Sequence, residues 1–231
     1  MKKLIALLLV LVMAVAMVAC NANTNTTAGN NGTTAGNNEP TGGNNEPTGG
    51  NTENVEPAKG ADEMLNAAVD KFAGIMAPLF EMSAEDVKNF FGGGYFSEDE
   101  TTIKAGAAGK TPIDVEDAVL NFKMISLITD DAFAKLDDAA VFHHGMNINT
   151  LAVSSMKVAD AANVESVANS LKNSVGGNEI WQCGFPERYF VITIDSYVIS
   201  AYGNADMVNA MKTAITETYA NAVVVADEAF A

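Results

Sequence analysis

Cysteines and basic residues are scarce in this sequence, and each shortage excludes a class of protein. Only two of the 231 residues are cysteine, which excludes a small secreted scaffold built on disulfides. The chain carries 13 lysine and arginine residues against 29 aspartate and glutamate residues, a formal net charge of −16. A protein that binds nucleic acid by neutralising phosphates needs a basic surface, so this class is excluded as well.

The N-terminal apolar run is short and ends at a cysteine. Lys2 and Lys3 precede residues 4–19, which carry no charge, and Cys20 follows them. A membrane-spanning helix needs about 20 apolar residues, whereas a shorter run behind a basic start is typical of a signal peptide. We therefore predict a signal peptide over residues 1–19.

The residues before Cys20 resemble the lipobox of bacterial lipoproteins, in which a small residue precedes a cysteine that is lipidated and becomes the mature N-terminus. Ala19 is that small residue, whereas Met17 stands where the family prefers leucine. The resemblance implies a lipid on Cys20 that attaches the chain to the extracytoplasmic face of the cell membrane. The alternative is an ordinary secretory signal that is cut near Ala19 and leaves Cys20 free.

Charge cannot supply this membrane attachment. Loss of Lys2 and Lys3 with the signal peptide leaves 11 basic against 29 acidic residues, a charge of −18. Anionic lipid surfaces repel such a chain, so the lipid on Cys20 must hold it at the membrane.

Residues 20–60 follow a degenerate repeat of asparagine, glycine, threonine and proline. The segment has no aromatic residue, and Val55 is its only aliphatic side chain larger than alanine or proline. Such a chain buries too little apolar surface to offset its conformational entropy, so we predict a disordered tether. A flexible chain of about forty residues spans about 35 Å root-mean-square, which is enough to lift a domain off a membrane.

The chain after the tether begins with helical patterns. Apolar residues recur on one face over residues 62–80, which predicts an amphipathic helix. Ser83 is expected to cap a short second helix that the glycines at 92–94 end. Residues 96–118 are expected to form a loop, and the apolar run 120–128 fits either a strand or a buried helix.

The C-terminal half has alternating strand and helix patterns. Strands are expected over residues 140–146 and 150–158, followed by a helix that Asn163 caps. The β-branched and aromatic runs within residues 189–202 predict a hairpin. Asn204 is expected to cap the last helix.

This order of elements predicts one folded α+β domain over residues 61–231. In an α+β domain of this kind, a small antiparallel sheet carries its helices on one face. The predicted architecture is therefore such a sheet with helices packed on one face, preceded by the N-terminal amphipathic helix and the disordered tether.

Part of the C-terminal half resembles a lipoprotein family of Gram-positive bacteria whose domain has no assigned function. The resemblance covers roughly residues 140–220 and centres on a strand with a Tyr-Val-Ile core and a glycine, followed by a helix. Tyr197, Val198, Ile199 and Gly203 stand at those places. The resemblance implies the family's order of lipobox, polar tether and α+β domain, and it transfers no catalytic residue.

Groups that could carry chemistry are few. The stretch from Lys104 to Thr111 imitates the end of a phosphate-binding loop, but Lys104 replaces its first glycine and Pro112 stands where its helix must begin, so an exposed loop is expected. His143 and His144 are the only histidines, and neighbouring positions do not form a two-histidine clamp on a strand or a helix. Neither a metal nor a cofactor is predicted, because no ligand spacing or cofactor motif supports one.

Five aromatic residues close together in the sequence are the candidate ligand groove. They are Trp181, Phe185, Tyr189, Tyr197 and Tyr202. An aromatic groove suits a sugar or a peptide. The alternative, which the strand alternation favours, is that these side chains pack the last helices onto the sheet.

These observations predict a non-enzymatic binding or protein-interaction module on a membrane-anchored lipoprotein. Its expected partners are the membrane, through the lipid on Cys20, and a cell-wall component or an envelope protein. The alternative is an envelope hydrolase that uses His143 or His144 with a carboxylate or with Cys183, because a nucleophilic thiol needs a nearby base. A merely tolerated thiol at Cys183 is the commoner case.

Overall fold

The computed structural model describes residues 59–95, 102–179, 181 and 184–230. The predicted signal peptide, Cys20, Cys183 and nearly all of the predicted tether lie outside the described residues. The helices are α1 (Ala61–Phe80), α2 (Ala84–Lys88), α3 (Glu116–Ser126), α4 (Asp130–Phe133), α5 (Val164–Gly176) and α6 (Ala205–Thr218). The strands are β1 (Phe91–Gly93), β2 (Lys104–Ala105), β3 (Gly109–Thr111), β4 (Leu136–His144), β5 (Leu151–Val158), β6 (Arg188–Ile194), β7 (Tyr197–Gly203) and β8 (Val223–Ala229).

The strands form one open antiparallel sheet in the order β2-β1-β4-β5-β7-β6-β8, and β3 pairs with β4 beside β1. The strands expected over residues 140–146 and 150–158 correspond to β4 and β5, which pair along most of their length. Strands β6 and β7 form the predicted hairpin, in which Ile194 pairs with Tyr197 across the turn. The predicted α+β class with an antiparallel sheet is confirmed.

Helices cover both faces of the sheet, so the expectation of helices on one face is wrong. Neighbouring strand residues fall into two separate cores. Ile199 packs with α1 and α6, whereas Val198 packs with α3 and α5. The central strands carry apolar side chains in both directions, as Val191 and Ile192 illustrate, and a sheet that is apolar on both faces needs a cover on each.

Helix α1 is fastened to the sheet where it begins. The buried carboxylate of Asp138 in β4 accepts a hydrogen bond of 3.0 Å from the Ala61 N–H. The Tyr197 hydroxyl in β7 donates to the carbonyl of Lys59. The apolar face of α1 then runs across the sheet, and its last residue, Phe80, lies about 28 Å from Ala61 at 1.5 Å per residue.

Most predicted helix starts and ends match the structure. The Ser83 side chain accepts from the Asp86 N–H at the start of α2, and the Asn204 side chain accepts from the Asp206 N–H at the start of α6. Asn163 stands at the cap position of α5 without a side-chain bond. Residues 120–126 of the run 120–128, for which strand and helix both remained open, belong to helix α3, and Leu127 stands at its C-terminal cap.

The segment around the three glycines differs from its prediction. Helix α2 ends at Lys88, and the glycines at 92 and 93 belong to strand β1 instead of ending a helix. A side chain on Gly93 would overlap the Val141 carbonyl and the Gly109 N–H, so the glycine permits β1, β3 and β4 to approach closely. The described part of the predicted loop 96–118 likewise contains β2, β3 and the first turn of α3.

Candidate functional site

The predicted aromatic groove does not form as one surface. Tyr189 and Tyr202 are buried on the side of the sheet that α3 and α5 cover, and Tyr197 is buried on the opposite side. Trp181 packs on Tyr202, with ring centroids 5.0 Å apart. Four of the five residues therefore pack in or against the two cores, and Phe185 alone is largely exposed, at 79%.

The hydroxyls of the buried Tyr189 and Tyr202 form hydrogen bonds within the domain. The Tyr202 hydroxyl donates to the Ile125 carbonyl over 2.9 Å, and burial raises the pKa of Tyr202 well above its usual value. The Tyr189 hydroxyl donates to the Glu228 carboxylate, and burial together with this bond raises the pKa of Tyr189 to about 12. Both hydroxyls have fixed structural roles and are not available to a ligand.

Phe185 instead belongs to a groove at one end of the sheet, where the last turns of α1 meet three loops. The groove encloses about 490 Å³. Its apolar lining consists of Met76, Leu79, Phe80, Phe185 and Met207. Its polar lining consists of Asn147, Asn149, Thr150, Glu187, Asn204 and Asp206. A volume of this size is typical of sites that hold a small ligand or a short peptide segment.

Hydrogen bonds between the loops hold the groove in shape. The buried Asn149 side chain donates to the Gly184 carbonyl over 2.9 Å, which joins the β4–β5 loop to the segment before β6. The Asn204 N–H donates to the Thr150 carbonyl, also over 2.9 Å. A side chain on Gly203, which has a φ of 152°, would overlap that carbonyl, so the close contact requires glycine.

The charged groups in the groove lining are both acidic. The Glu187 carboxylate accepts from the Asn204 side chain (3.1 Å) and from the Ala205 N–H (2.8 Å), so it covers the start of α6. Asp206 is exposed on the first turn of that helix. Within the described parts of the chain, no lysine or arginine forms an ion pair with either carboxylate.

Exposed apolar side chains continue beyond the groove at the same end of the molecule. Among the described residues, eleven large apolar side chains are exposed, and six of them lie there: Leu79, Phe80, Met82, Phe90, Met146 and Phe185. Isolated exposed apolar residues are ordinary, whereas a group of them around a groove is typical of an interaction surface. We call this region, the groove with these six side chains, the open end.

The two histidines lie beside the open end and contact backbone atoms. The His143 Nδ1 lies 3.2 Å from the His144 carbonyl oxygen, and the His144 Nδ1 accepts from the N–H groups of Met146 and Asn147. Burial lowers the pKa of both imidazoles, and repulsion from His143 lowers that of His144 further. Both rings also line a smaller cavity of about 160 Å³ with Met124 and Met146.

The hydrolase alternative finds no partner groups among the described residues. Neither His143 nor His144 forms a hydrogen bond or ion pair with a described carboxylate, and Cys183 lies outside the described residues. A catalytic imidazole is normally oriented by a second polar side chain, which these contacts do not supply. The described residues also contain no group of three or more His, Cys, Asp or Glu side chains arranged to hold a metal ion.

No protein-family model, no curated protein and no solved structure matches this chain. Among the described helices, none combines the length and the apolar character that crossing a membrane requires.

Proposed function

We propose that this chain is a membrane-anchored extracytoplasmic lipoprotein with a non-enzymatic binding module at the cell envelope. The observation that carries the binding part is the preformed groove at the open end, whose charged lining groups have no ion-pair partner among the described residues. Membership of the Gram-positive lipoprotein family and attachment through Cys20 rest on the sequence resemblance, and they are part of the proposal.

The position of the groove supports this arrangement. The predicted tether joins the domain at Lys59 and Gly60, where α1 begins, whereas the groove lies where α1 ends. About 28 Å of helix separates the two points. The described chain therefore begins at the opposite end of α1 from the groove, which supports a partner in the cell wall or on another envelope protein as the ligand of the groove.

The groove lining favours binding over catalysis. Among its described residues there is no imidazole or thiol, and one oxygen of Glu187 is already used by the start of α6. A nucleophilic mechanism needs a nucleophile beside an oriented base. Thr150 carries the one hydroxyl among the described lining residues, and no hydrogen bond joins it to Glu187 or Asp206. Shape, apolar contact and charge are what the groove offers a ligand.

A ligand screen with a matched pair of variants tests the binding proposal. The thermal unfolding of the mature chain is measured against peptides, sugars, wall fragments and metal ions, with Phe185→Ser and Val223→Ser as variants. Phe185 lies in the groove, whereas Val223 is 59% exposed on the distant strand β8. A ligand at 100 times its dissociation constant adds about 2.7 kcal/mol to the free energy of unfolding.

We expect the ligand to raise the free energy of unfolding by this amount in the parent chain and in Val223→Ser. In Phe185→Ser we expect a smaller increase. If every stabilising ligand stabilises Phe185→Ser as much as the parent chain, the groove is not the binding site.

Substitution of Cys20 tests the anchor. Cys20→Ala removes the thiol that would carry the lipid, so we expect fatty-acid labelling of the chain to be lost and the chain to leave the membrane fraction. Labelling and membrane retention that survive the substitution contradict lipid attachment at Cys20. This result leaves the binding proposal unaffected.

A further inference from the structure

We infer that the groove binds a protein segment that carries an apolar side chain next to a lysine or an arginine. The inference rests on the proposed binding function and names the chemistry of its ligand. Three features of the open end carry it: the apolar lining, the two carboxylates that have no cationic partner in the described part of the chain, and the extent of the exposed apolar surface.

The apolar lining has a buried floor and an exposed rim. Met76 and Met207 are buried at 2% and 8% exposure, whereas Leu79 and Phe185 are exposed at 61% and 79%. Methionine side chains are flexible and polarisable, so a floor made of them adapts to apolar groups of different shape. The rim side chains lose water contact when a ligand's apolar side chain enters, which makes its burial favourable.

The electrostatic field of the groove selects for positive charge. Glu187 and Asp206 together contribute two negative charges, and the start of α6 offsets them by about half a charge. The whole chain carries a net charge of −16, which adds to the negative potential. A lysine or arginine side chain is therefore attracted to this lining, and an acidic ligand is repelled.

Two other ligand classes fit the lining less well. A helix start is a ready site for an anion, but the Glu187 carboxylate and the Asn204 side chain already accept the N–H groups of Ala205 and Asp206. A sugar needs side-chain amides that are available to its hydroxyls, whereas the amide nitrogens of Asn149 and Asn204 donate within the fold.

The extent of the apolar surface points to a macromolecule. The exposed side chains of Met82, Phe90 and Met146 lie outside the groove lining, yet they belong to the same end of the molecule. A small ligand within the groove would leave these side chains in water, whereas a protein segment that continues past the groove covers them.

A peptide array tests the ligand chemistry. Immobilised hexapeptides carry leucine or phenylalanine at two central positions and lysine, arginine, glutamine or glutamate at the flanking positions. The mature chain, released from membranes in mild detergent, is applied with three variants: Phe185→Ser, the double variant Glu187→Gln/Asp206→Asn, and Asp131→Asn. The last is a control, because Asp131 is exposed on α4 and has no ion pair among the described residues.

The expected results rank the peptides and the variants. Peptides with lysine or arginine bind best, those with glutamine less well and those with glutamate least. The double variant weakens binding of the cationic peptides about four- to twenty-five-fold, since one exposed ion pair contributes about two- to fivefold. Phe185→Ser weakens it about tenfold, as for an exposed aromatic contact residue, and Asp131→Asn leaves it unchanged. Raising the salt concentration reduces the advantage of the cationic peptides.

The outcomes separate this inference from the proposed function. Equal binding of the glutamine and lysine peptides, or no effect of the double variant, overturns the cationic preference, while a loss in Phe185→Ser keeps the groove as a binding site. A groove-dependent sugar in the ligand screen, with no peptide bound, also overturns the inference alone. If Phe185→Ser changes the binding of no peptide and no ligand in the screen, the proposed function fails as well.

Discussion

The two ends of the sheet differ in the pairing of their charged groups and in the exposure of their apolar side chains. Where α1 begins, the carboxylate of Asp138 accepts the Ala61 N–H and pairs with Lys110, and Asp137 pairs with Lys157. Where α1 terminates, large apolar side chains meet water and two carboxylates have no cationic partner among the described residues. We call the first region the closed end, in contrast to the open end.

The difference separates groups that stabilise the fold from groups that do not. Buried and paired groups at the closed end contribute to the free energy of unfolding, because their loss leaves partners unsatisfied in the interior. Exposed side chains at the open end contribute little to it, since they are hydrated in both states. Side chains at the open end are therefore available for ligand binding without a large cost in stability. Substitutions at the closed end should lower the free energy of unfolding more than substitutions at the open end.

The largest effect is expected at Asp138, which is only 8% exposed. Asp138→Ala leaves the Ala61 N–H without an acceptor and breaks the Lys110 pair, so we expect a loss of about 1–3 kcal/mol in the free energy of unfolding. Urea unfolding of the mature chain measures it. The paired variant at the open end is Asp206→Ala, for which we expect less than 1 kcal/mol. Equal losses of unfolding free energy in the two variants would contradict the difference in stability between the closed end and the open end.

A second test at the closed end removes one hydrogen bond without a change in packing. Tyr197→Phe deletes the hydroxyl that donates to the Lys59 carbonyl, so we expect a loss of about 0.5–1.5 kcal/mol. We also expect faster proteolysis near residue 60, because the start of α1 opens more readily. Ala67→Gln, a change at an exposed position of α1, serves as the control and should leave the cleavage rate unchanged. Unchanged cleavage in Tyr197→Phe contradicts the anchoring role of the hydroxyl.

The two histidines beside the open end make the free energy of unfolding depend on pH. Burial lowers the pKa of His143 and His144 below 6.5 in the folded chain, so the unfolded chain binds protons first as the pH falls. Stability is therefore full above about pH 6.5 and declines as the pH falls from there toward the folded pKa values. Unfolding measured between pH 7.5 and 5 should show this decline, and His143→Gln should make it shallower. A decline of equal slope in His143→Gln assigns it to other groups.

The smallest effect is expected in the apolar rim. Leu79→Ser and Phe185→Ser change side chains that are 61% and 79% exposed, so we expect the free energy of unfolding to change by less than about 0.5 kcal/mol. Binding of the groove ligand should nevertheless weaken. A loss of more than 2 kcal/mol in either variant would assign these side chains to the core and remove the distinction between the two ends.

The sequence predicts the regular elements well because their patterns are local. The hairpin of β6 and β7 and the helix α5 repeat their apolar residues over seven or more positions, which is long enough for a period to be recognised. Strand β1 has three residues, two of them glycine, and it forms because β4 offers an edge to pair with. Strand β8 was not predicted, although its three consecutive valines at 223–225 are a β-branched signal.

The groove was only partly predictable, because four distant segments build it. Phe185 was among the predicted groove residues, whereas Glu187 and Asp206 carried no signal of their own in the sequence. They become neighbours because Gly203 brings the end of β7 against Thr150 and because Asn149 joins the loops. Tertiary contacts of this kind have no periodicity, so the pattern of apolar residues does not reveal them.

Site-specific photocrosslinking on intact cells tests the central claim most directly. A photoreactive phenylalanine analogue is placed at position 79, at the open end, and in a second strain at position 223, on β8. The two native side chains are almost equally exposed, at 61% and 59%, so exposure alone does not distinguish them. If the open end is the binding surface, position 79 forms a discrete crosslink that Phe185→Ser diminishes, and position 223 forms none. Equal crosslinking at the two positions, or crosslinking at position 223 alone, contradicts the account.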